Sequence, residues 1–259
     1  MGSSEIQGKL WGVKAEDYSK LNEPTNKMLW EAMLSAAEVG KDTKFLDVGC
    51  GGGGAILLAT KLGAKVSGLD ASENFIKIAH QRVPEGEFRV GDMENLPYDD
   101  NSFDVTFSAL TLMFADNPSI ALQEMKRVTA PGGRVVVGLW GPPENCDLGH
   151  ISKAVIDFLP APKPKGKVFS LSAPKLLEGL MQQAGFKVLG SNEVKCPFEF
   201  PNFETCWRSL SSAGAMQALM HITNEETLKK VVLAAIEPFQ DKDGVIRLEN
   251  LNRYVLANP

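Results

Sequence analysis

The sequence predicts an α/β protein built on an open, doubly wound, mostly parallel sheet. Short apolar runs alternate with helical stretches of about ten residues from position 44 to position 140. A glycine cluster follows the first apolar run, and acidic residues close later ones at Asp70 and Asp92. In such a fold each crossover is right-handed, and a ligand sits beyond the carboxyl ends of the strands.

The elements follow in order. Residues 15–39 read as helical, since Leu29, Met33, Ala36 and Ala37 recur at helical spacing; Pro24 starts or breaks the run, and Gly40 stops it. Residues 44–48 are a strand leading into Gly49 and Gly51 to Gly54, and residues 55–62 are a helix closed by Gly63. Residues 64–69 form a second strand ending at Asp70, and Ser72 is placed to cap a helix reaching about Arg82. Residues 87–90 and 103–108 are the third and fourth strands, and residues 118–128 a helix. Pro131 to Arg134 then read as a turn feeding a fifth strand at residues 135–139.

The remainder is less regular. Helices are predicted over residues 147–159 and 173–184, extended chain over 187–200 and 246–257, and mostly helix over 203–240. One domain is expected: an N-terminal helical cover at 1–42, a ligand-binding core at 43–140, and at 141–259 the rest of the sheet. Two helical insertions, about 141–170 and 201–243, interrupt that last part as a substrate cover near the carboxyl edge.

Composition excludes several classes. The 259 residues are 44% apolar and 23% charged, ordinary for a globular chain. No apolar run approaches the roughly 20 residues of a membrane-spanning helix, and the start lacks a secretory pattern. A cytoplasmic protein is expected. The net charge is −5, and the one basic cluster, Lys163, Lys165 and Lys167 among prolines, reads as a solvated linker. Nucleic acid is therefore not the expected partner. Cys50, Cys146, Cys196 and Cys206 show neither paired spacing nor a neighbouring His, so no metal and no disulfide are predicted.

The chemistry centres on Asp47-Val48-Gly49-Cys50-Gly51. A strand-to-helix turn rich in glycine brings backbone close to a ligand and points helix N–H groups at it. Gly49, Gly51 and Gly54 satisfy the dinucleotide fingerprint, with Asp70 about 20 residues on, so a nicotinamide dehydrogenase is a rival reading at this point. Two features separate them. Asp47, before the first glycine, would repel a pyrophosphate but pair with a ligand ammonium. Asp92, after strand three, is placed to accept a hydrogen bond from an adenine amino group, and Asp70 to accept both ribose hydroxyls. Each has a plainer alternative: Asp47 as a cap for the loop, Asp92 as a helix N-cap, Gly52 and Gly54 as turn and packing residues only.

Residues 45–54 resemble the first motif, D-x-G-x-G-x-G, of class I S-adenosylmethionine-dependent methyltransferases. Asp70, the segment Gly91-Asp92-Met93 with Leu96-Pro97-Tyr98, Phe103-Asp104-Val105, Glu124 to Val128 and Pro131 to Arg134 resemble later landmarks of the ubiquinone/menaquinone-biosynthesis-like branch (methyltransferase type 11/25). The resemblance spans roughly residues 40–140 and implies a Rossmann-like, seven-stranded sheet with S-adenosyl-L-methionine as cofactor. The residues it implies for that cofactor are Tyr18, Asp47, Gly49, Cys50, Gly51, Gly53, Asp70, Ala71, Gly91, Asp92, Met93, Ala109 and Leu110.

Methyl transfer from a sulfonium is mainly a matter of alignment. A base is needed only if the acceptor arrives protonated, so catalytic residues are the least legible part. His150 and His221, in the two cover segments, are the candidates; their plainer reading is surface or packing histidine. Tyr18 and Trp11 are candidates to line the methyl site.

Ser108-Ala109-Leu110-Thr111 departs from the Asn/Asp-Pro-Pro-aromatic sequence of methyltransferases acting on adenine or glutamine amino groups. The cover is rich in apolar residues, including Phe158, Phe169, Phe198, Phe200, Phe203, Trp207, Met216, Leu219 and Met220. They predict a small, largely apolar acceptor, or else they form the cover's own core. A macromolecular methyltransferase and a catalytically silent cofactor-binding module are the alternatives.

Overall fold

A computed structural model describes residues 3–162 and 167–259; Lys163, Pro164, Lys165 and Gly166 of the predicted linker lie outside the described residues. Its strands are β1 (Lys44–Val48), β2 (Lys65–Asp70), β3 (Glu87–Val90), β4 (Phe103–Ala109), β5 (Thr129–Trp140), β6 (Lys187–Lys195), β7 (Phe198–Phe200), β8 (Ile246–Leu248) and β9 (Leu251–Asn258). Seven of these form one sheet in the order β3-β2-β1-β4-β5-β9-β6. Strands β1 to β5 pair in parallel, whereas β9 runs antiparallel between β5 and β6. Strands β7 and β8 form a separate antiparallel pair.

The helices are α1 (Ser3–Gly12), α2 (Ala15–Asp17), α3 (Lys27–Ala36), α4 (Gly54–Lys61), α5 (Glu73–Arg82), α6 (Pro118–Val128), α7 (Asp147–Phe158), α8 (Leu176–Gln183), α9 (Phe203–Ser211), α10 (Gly214–Met220) and α11 (Glu225–Ile236). Alternate residues of the central strands enter two different cores, as a two-residue period requires. Phe45, Phe107 and Val136 pack with Leu29 and Met33 of α3 and Ile56 of α4. Leu46, Val135 and Val137 pack with Leu122 and Met125 of α6. Because both faces are covered, the strands read as continuous apolar runs.

The structure departs from the sequence reading at several points. Helix α1 forms where none was assigned. The single helix expected at 15–39 is broken into α2, a π-helical turn Tyr18–Asn22, a 3-10 turn Glu23–Asn26, and α3. Pro24 explains the break: it has no N–H to give the preceding turn, and Glu23 N–H donates instead to the Tyr18 carbonyl, five residues back. The expected turn at Pro131 to Arg134 is a bulge inside β5, where pairing jumps from Phe103–Thr129 to Val105–Arg134. The extended run 187–200 divides at Cys196-Pro197 into β6 and β7, which lie in different sheets.

Lys167, expected in a solvated linker, docks onto the turn after β4, 3.3 Å from Asp116 Oδ1. All four cysteines are buried and free. Among the described residues no helix is long and apolar enough to cross a membrane, and no group of three or more His, Cys, Asp or Glu is arranged to hold a metal.

Candidate active site

Two adjoining cavities lie beyond the carboxyl ends of β1, β2 and β4. The first, about 860 Å³, is lined by Tyr18, Asp47, Gly49, Cys50, Gly51, Asp70, Ala71, Gly91, Asp92, Met93, Ala109 and Leu110, all of them expected from sequence. Gly53 is the exception. It faces α5, where an added Cβ would stand 3.2 Å from the Ala79 side chain, so it serves the turn and the helix packing.

The glycine loop is tied down from three sides. Gly49 and Cys50 N–H donate to the Leu69 carbonyl at 2.7 and 3.0 Å. Gly51 N–H donates to Asp70 Oδ2 at 2.9 Å, and Gly52 N–H to Glu23 Oε1 at 2.6 Å. Gly49 and Gly51 have φ of +81° and +52°. A Cβ on Gly49 would lie 2.1 Å from Thr111 Cγ2, and one on Gly51 2.8 Å from Glu23 Oε1. These glycines therefore make room for the protein's own side chains as well as for a ligand.

Among the described residues four carboxylates line this cavity, Glu23, Asp47, Asp70 and Asp92, and no Lys, Arg or His does. Asp70 accepts from Gly51 and also from Ser72 N–H at 2.8 Å. Burial pushes its pKa up to about 6, held back by those backbone bonds. Asp47 is only 3% exposed; burial, then Asp70 and Glu23 beside it, push its pKa well up. Glu23 is also raised by burial, although Arg82 pairs with it at 2.5 Å. No helix follows Asp92. Its Oδ1 closes a turn by accepting from Glu94 N–H at 2.9 Å, so the N-cap alternative falls away.

Helix α1 forms one wall through Ser3, Ser4, Gln7 and Trp11. It packs backbone against backbone, since a Cβ on Gly8 would stand 2.2 Å from the Ala71 carbonyl. Its end is held by Asn74 Nδ2 donating to the Gly12 carbonyl at 3.0 Å.

The second cavity, about 830 Å³, shares Trp11, Tyr18, Leu110 and Phe114 with the first. Trp11 meets Tyr18 and Phe114 edge-on at 5.2 and 5.1 Å, so three rings stand where the cavities join. Leu110 has left-handed backbone, φ +58°, a strained conformation for a branched residue. The rest of the lining includes Trp140, Ile151, Val155, Phe169, Phe198 and Leu219, with Asn22 and Ser152 as polar members. Both cover segments contribute: α7 from one, α9 and α10 from the other. Of the apolar residues singled out in the cover, Phe169, Phe198, Met216 and Leu219 line this cavity. Phe200 and Trp207 are buried in the core, while Phe158 is exposed.

Neither candidate histidine reaches either cavity. His150 is exposed and packs edge-on against Phe239, 5.7 Å between ring centres, and His221 is exposed at the end of α10. Among the described residues Tyr18 is the one lining the second cavity with an ionisable side chain, and burial, reinforced by Glu23 and Asp70, raises its pKa and keeps it protonated. Sequence reasoning missed Glu23, Asn26 and Trp30, which line the first cavity. Pro24 was the available signal, because a helix break brings neighbouring side chains out of helical register.

Residues 46–137 match a family described as a methyltransferase domain. The chain is 36% identical over 111 residues to a demethylmenaquinone methyltransferase of Paenarthrobacter aurescens, covering 43% of this chain and 44% of that protein. It is 29% identical over 205 residues to a malonyl-[acyl-carrier protein] O-methyltransferase of Erwinia pyrifoliae, covering 79% of this chain and 74% of the relative. The chain spans about half the length of the demethylmenaquinone methyltransferases it matches. Among solved structures, a SAM-dependent methyltransferase of Aquifex aeolicus shares the fold with a TM-score of 0.53 at 23% identity, over 70% of this chain and 92% of that one.

Proposed function

We propose that this chain, whose residues 46–137 match a family described as a methyltransferase domain, transfers a methyl group from S-adenosyl-L-methionine to a small, largely apolar acceptor. One observation carries the reading: an acid-lined cavity and an apolar one meet at a shared wall of Trp11, Tyr18, Leu110 and Phe114. The donor has cationic sulfur, an ammonium, a ribose and an adenine. The first cavity supplies carboxylates and bent backbone to match, and Asp47 Oδ1 is buried without a partner among the described residues.

In this reading Asp70 takes the ribose hydroxyls. Asp92 and Met93 border the adenine, and Gly49, Ala109 and Leu110 place backbone against the methionine end. Bound there, S-adenosyl-L-methionine supplies an activated methyl group and leaves as S-adenosyl-L-homocysteine. The shared aromatic wall excludes water and holds the acceptor in line, which contributes about 7–11 kcal/mol when alignment is good. Tyr18 cannot act as base at neutral pH, so the acceptor attacks as a neutral amine, a carbon nucleophile, or an oxygen already ionised. Among the described residues the second cavity is lined by no cationic side chain, which supports a neutral acceptor over one bearing a carboxylate.

Incubation with methyl-labelled donor and a panel of neutral apolar phenols and amines tests this. Label in a solvent-extractable product is expected. Label that protease or nuclease releases would indicate a macromolecular acceptor, and donor binding without turnover on any acceptor would indicate a silent binding module.

A further inference from the structure

Three of the four carboxylates in the first cavity have engaged oxygens: Glu23 with Gly52 and Arg82, Asp70 with Gly51 and Ser72, Asp92 with Glu94. Asp47 differs, because its buried Oδ1 has no hydrogen-bond partner among the described residues. Asn26 lines the same cavity, is 3% exposed, and its amide Oδ1 is likewise without a partner. Asn26 joins the 3-10 turn to α3 with helical backbone, φ −90° and ψ −1°, and Lys27 N–H is already bonded to the Pro24 carbonyl, so the Asn26 side chain makes no capping bond there. The turn that carries it is fixed by Thr25 Oγ1 donating to the Asn22 carbonyl at 2.6 Å.

Two buried acceptors, one of them a carboxylate, border a cavity lined by no basic side chain among the described residues. A group with several N–H donors and a positive charge satisfies both, and a primary ammonium has three such donors. An amide also suits the second place better than an acid would. Asp70 and Glu23 already raise the cost of charge at Asp47, and a further carboxylate would add to it.

We infer that Asn26 and Asp47 together receive the α-ammonium of the donor's amino-acid tail, which makes Asn26 the residue through which the cavity demands an amino-bearing donor. The inference rests on the donor reading above and adds to it a specificity residue from the N-terminal segment. A nucleoside thioether without the amino group leaves both oxygens unmet.

Calorimetric titration with S-adenosyl-L-homocysteine, and with its deaminated analogue carrying the same chain and carboxylate, tests the pair. The wild-type chain is expected to prefer S-adenosyl-L-homocysteine at least tenfold. Asn26→Leu is expected to shrink that preference at least fivefold, weakening the amino-bearing ligand while the analogue binds within about twofold of wild type. Asn26→Asp, which keeps an acceptor in place, is expected to retain the preference. A general structural defect would weaken both ligands alike and leave the ratio unchanged, and that result overturns the assignment. Loss of the preference in Asn26→Asp, or its absence in wild type, overturns it as well. Failure of both ligands to bind the wild-type chain would instead remove the donor reading and this inference with it.

Discussion

Asp70→Asn offers a measurement in which protonation and mutation should report the same event. Burial pushes the pKa of Asp70 up to about 6, so about nine-tenths of it is protonated at pH 5 and almost none at pH 7.5. Two ribose hydroxyls donating to an ionised carboxylate lose about 1.5–3 kcal/mol when the charge is removed. Asparagine resembles the protonated acid in shape and charge: each keeps one accepting oxygen for Gly51 or Ser72 and turns a donor toward the other. At pH 7.5 the substitution is therefore expected to weaken S-adenosyl-L-homocysteine binding about 10–100-fold. At pH 5, where wild type is already mostly neutral at this site, the penalty shrinks by about tenfold. Calorimetry on both proteins at both pH values reads the difference directly. An equal loss at the two pH values would refute the argument, as would no loss at pH 7.5. The linkage has a second consequence for folding stability measured without added donor. A carboxyl whose pKa rises on folding favours the fold below its unfolded pKa, and that contribution is lost as pH rises through the folded value. Thermal melts should thus show wild type losing stability between about pH 4 and 6 more steeply than Asp70→Asn.

Other substitutions separate the parts of the site. Gly51→Val should abolish donor binding, because the new side chain meets Glu23 and demands a φ of +52°; donor affinity within about threefold of wild type in a titration would disprove it. Ala215→Phe should block turnover by filling the second cavity while leaving S-adenosyl-L-homocysteine affinity within about twofold, and a loss of donor binding would mean that the cavities are not separate subsites. His150→Ala and His221→Ala should turn over at wild-type rate across pH 6–9, since both side chains stand outside the cavities; a lost pH limb in either variant would restore that histidine as a base.

The parallel half of the fold was legible because β1, β2 and β4 are mostly buried and each leads on to a helix, whereas β3 is an exposed strand at the rim with no helix after it. Ser72 reads as a cap and is one, its Oγ accepting from Phe75 N–H at 3.4 Å. The acids at strand ends were legible for the same reason, since a charged residue interrupting a buried run stands out. What sequence could not show depends on register across the chain. Nothing near Glu23 indicates that it reaches Gly52, 29 positions away. The two histidines were chosen by membership of a cover segment, and a helix buries only one stripe; both lie on the exposed side. Cys196-Pro197 and Pro24 carried boundary information that a coarse period of hydrophobicity passes over.

Strand β9 has a bearing on how the molecule is assembled. It fills the slot between β5 and β6, more than a hundred positions after β5 ends. A nascent chain extended only as far as Phe239 would carry the parallel half with β5 as a bare rim, its N–H and C=O groups unmet from Val135 to Trp140. Closure must wait for Leu251–Asn258, which pairs with β5 on one side and on the other is, among the described residues, the one sheet partner of β6, a non-local event that is slow by its topology. Until then both cavities share a scaffold with an unfinished flank, which gives a ligand that holds the first five strands together an opportunity to act as a folding aid.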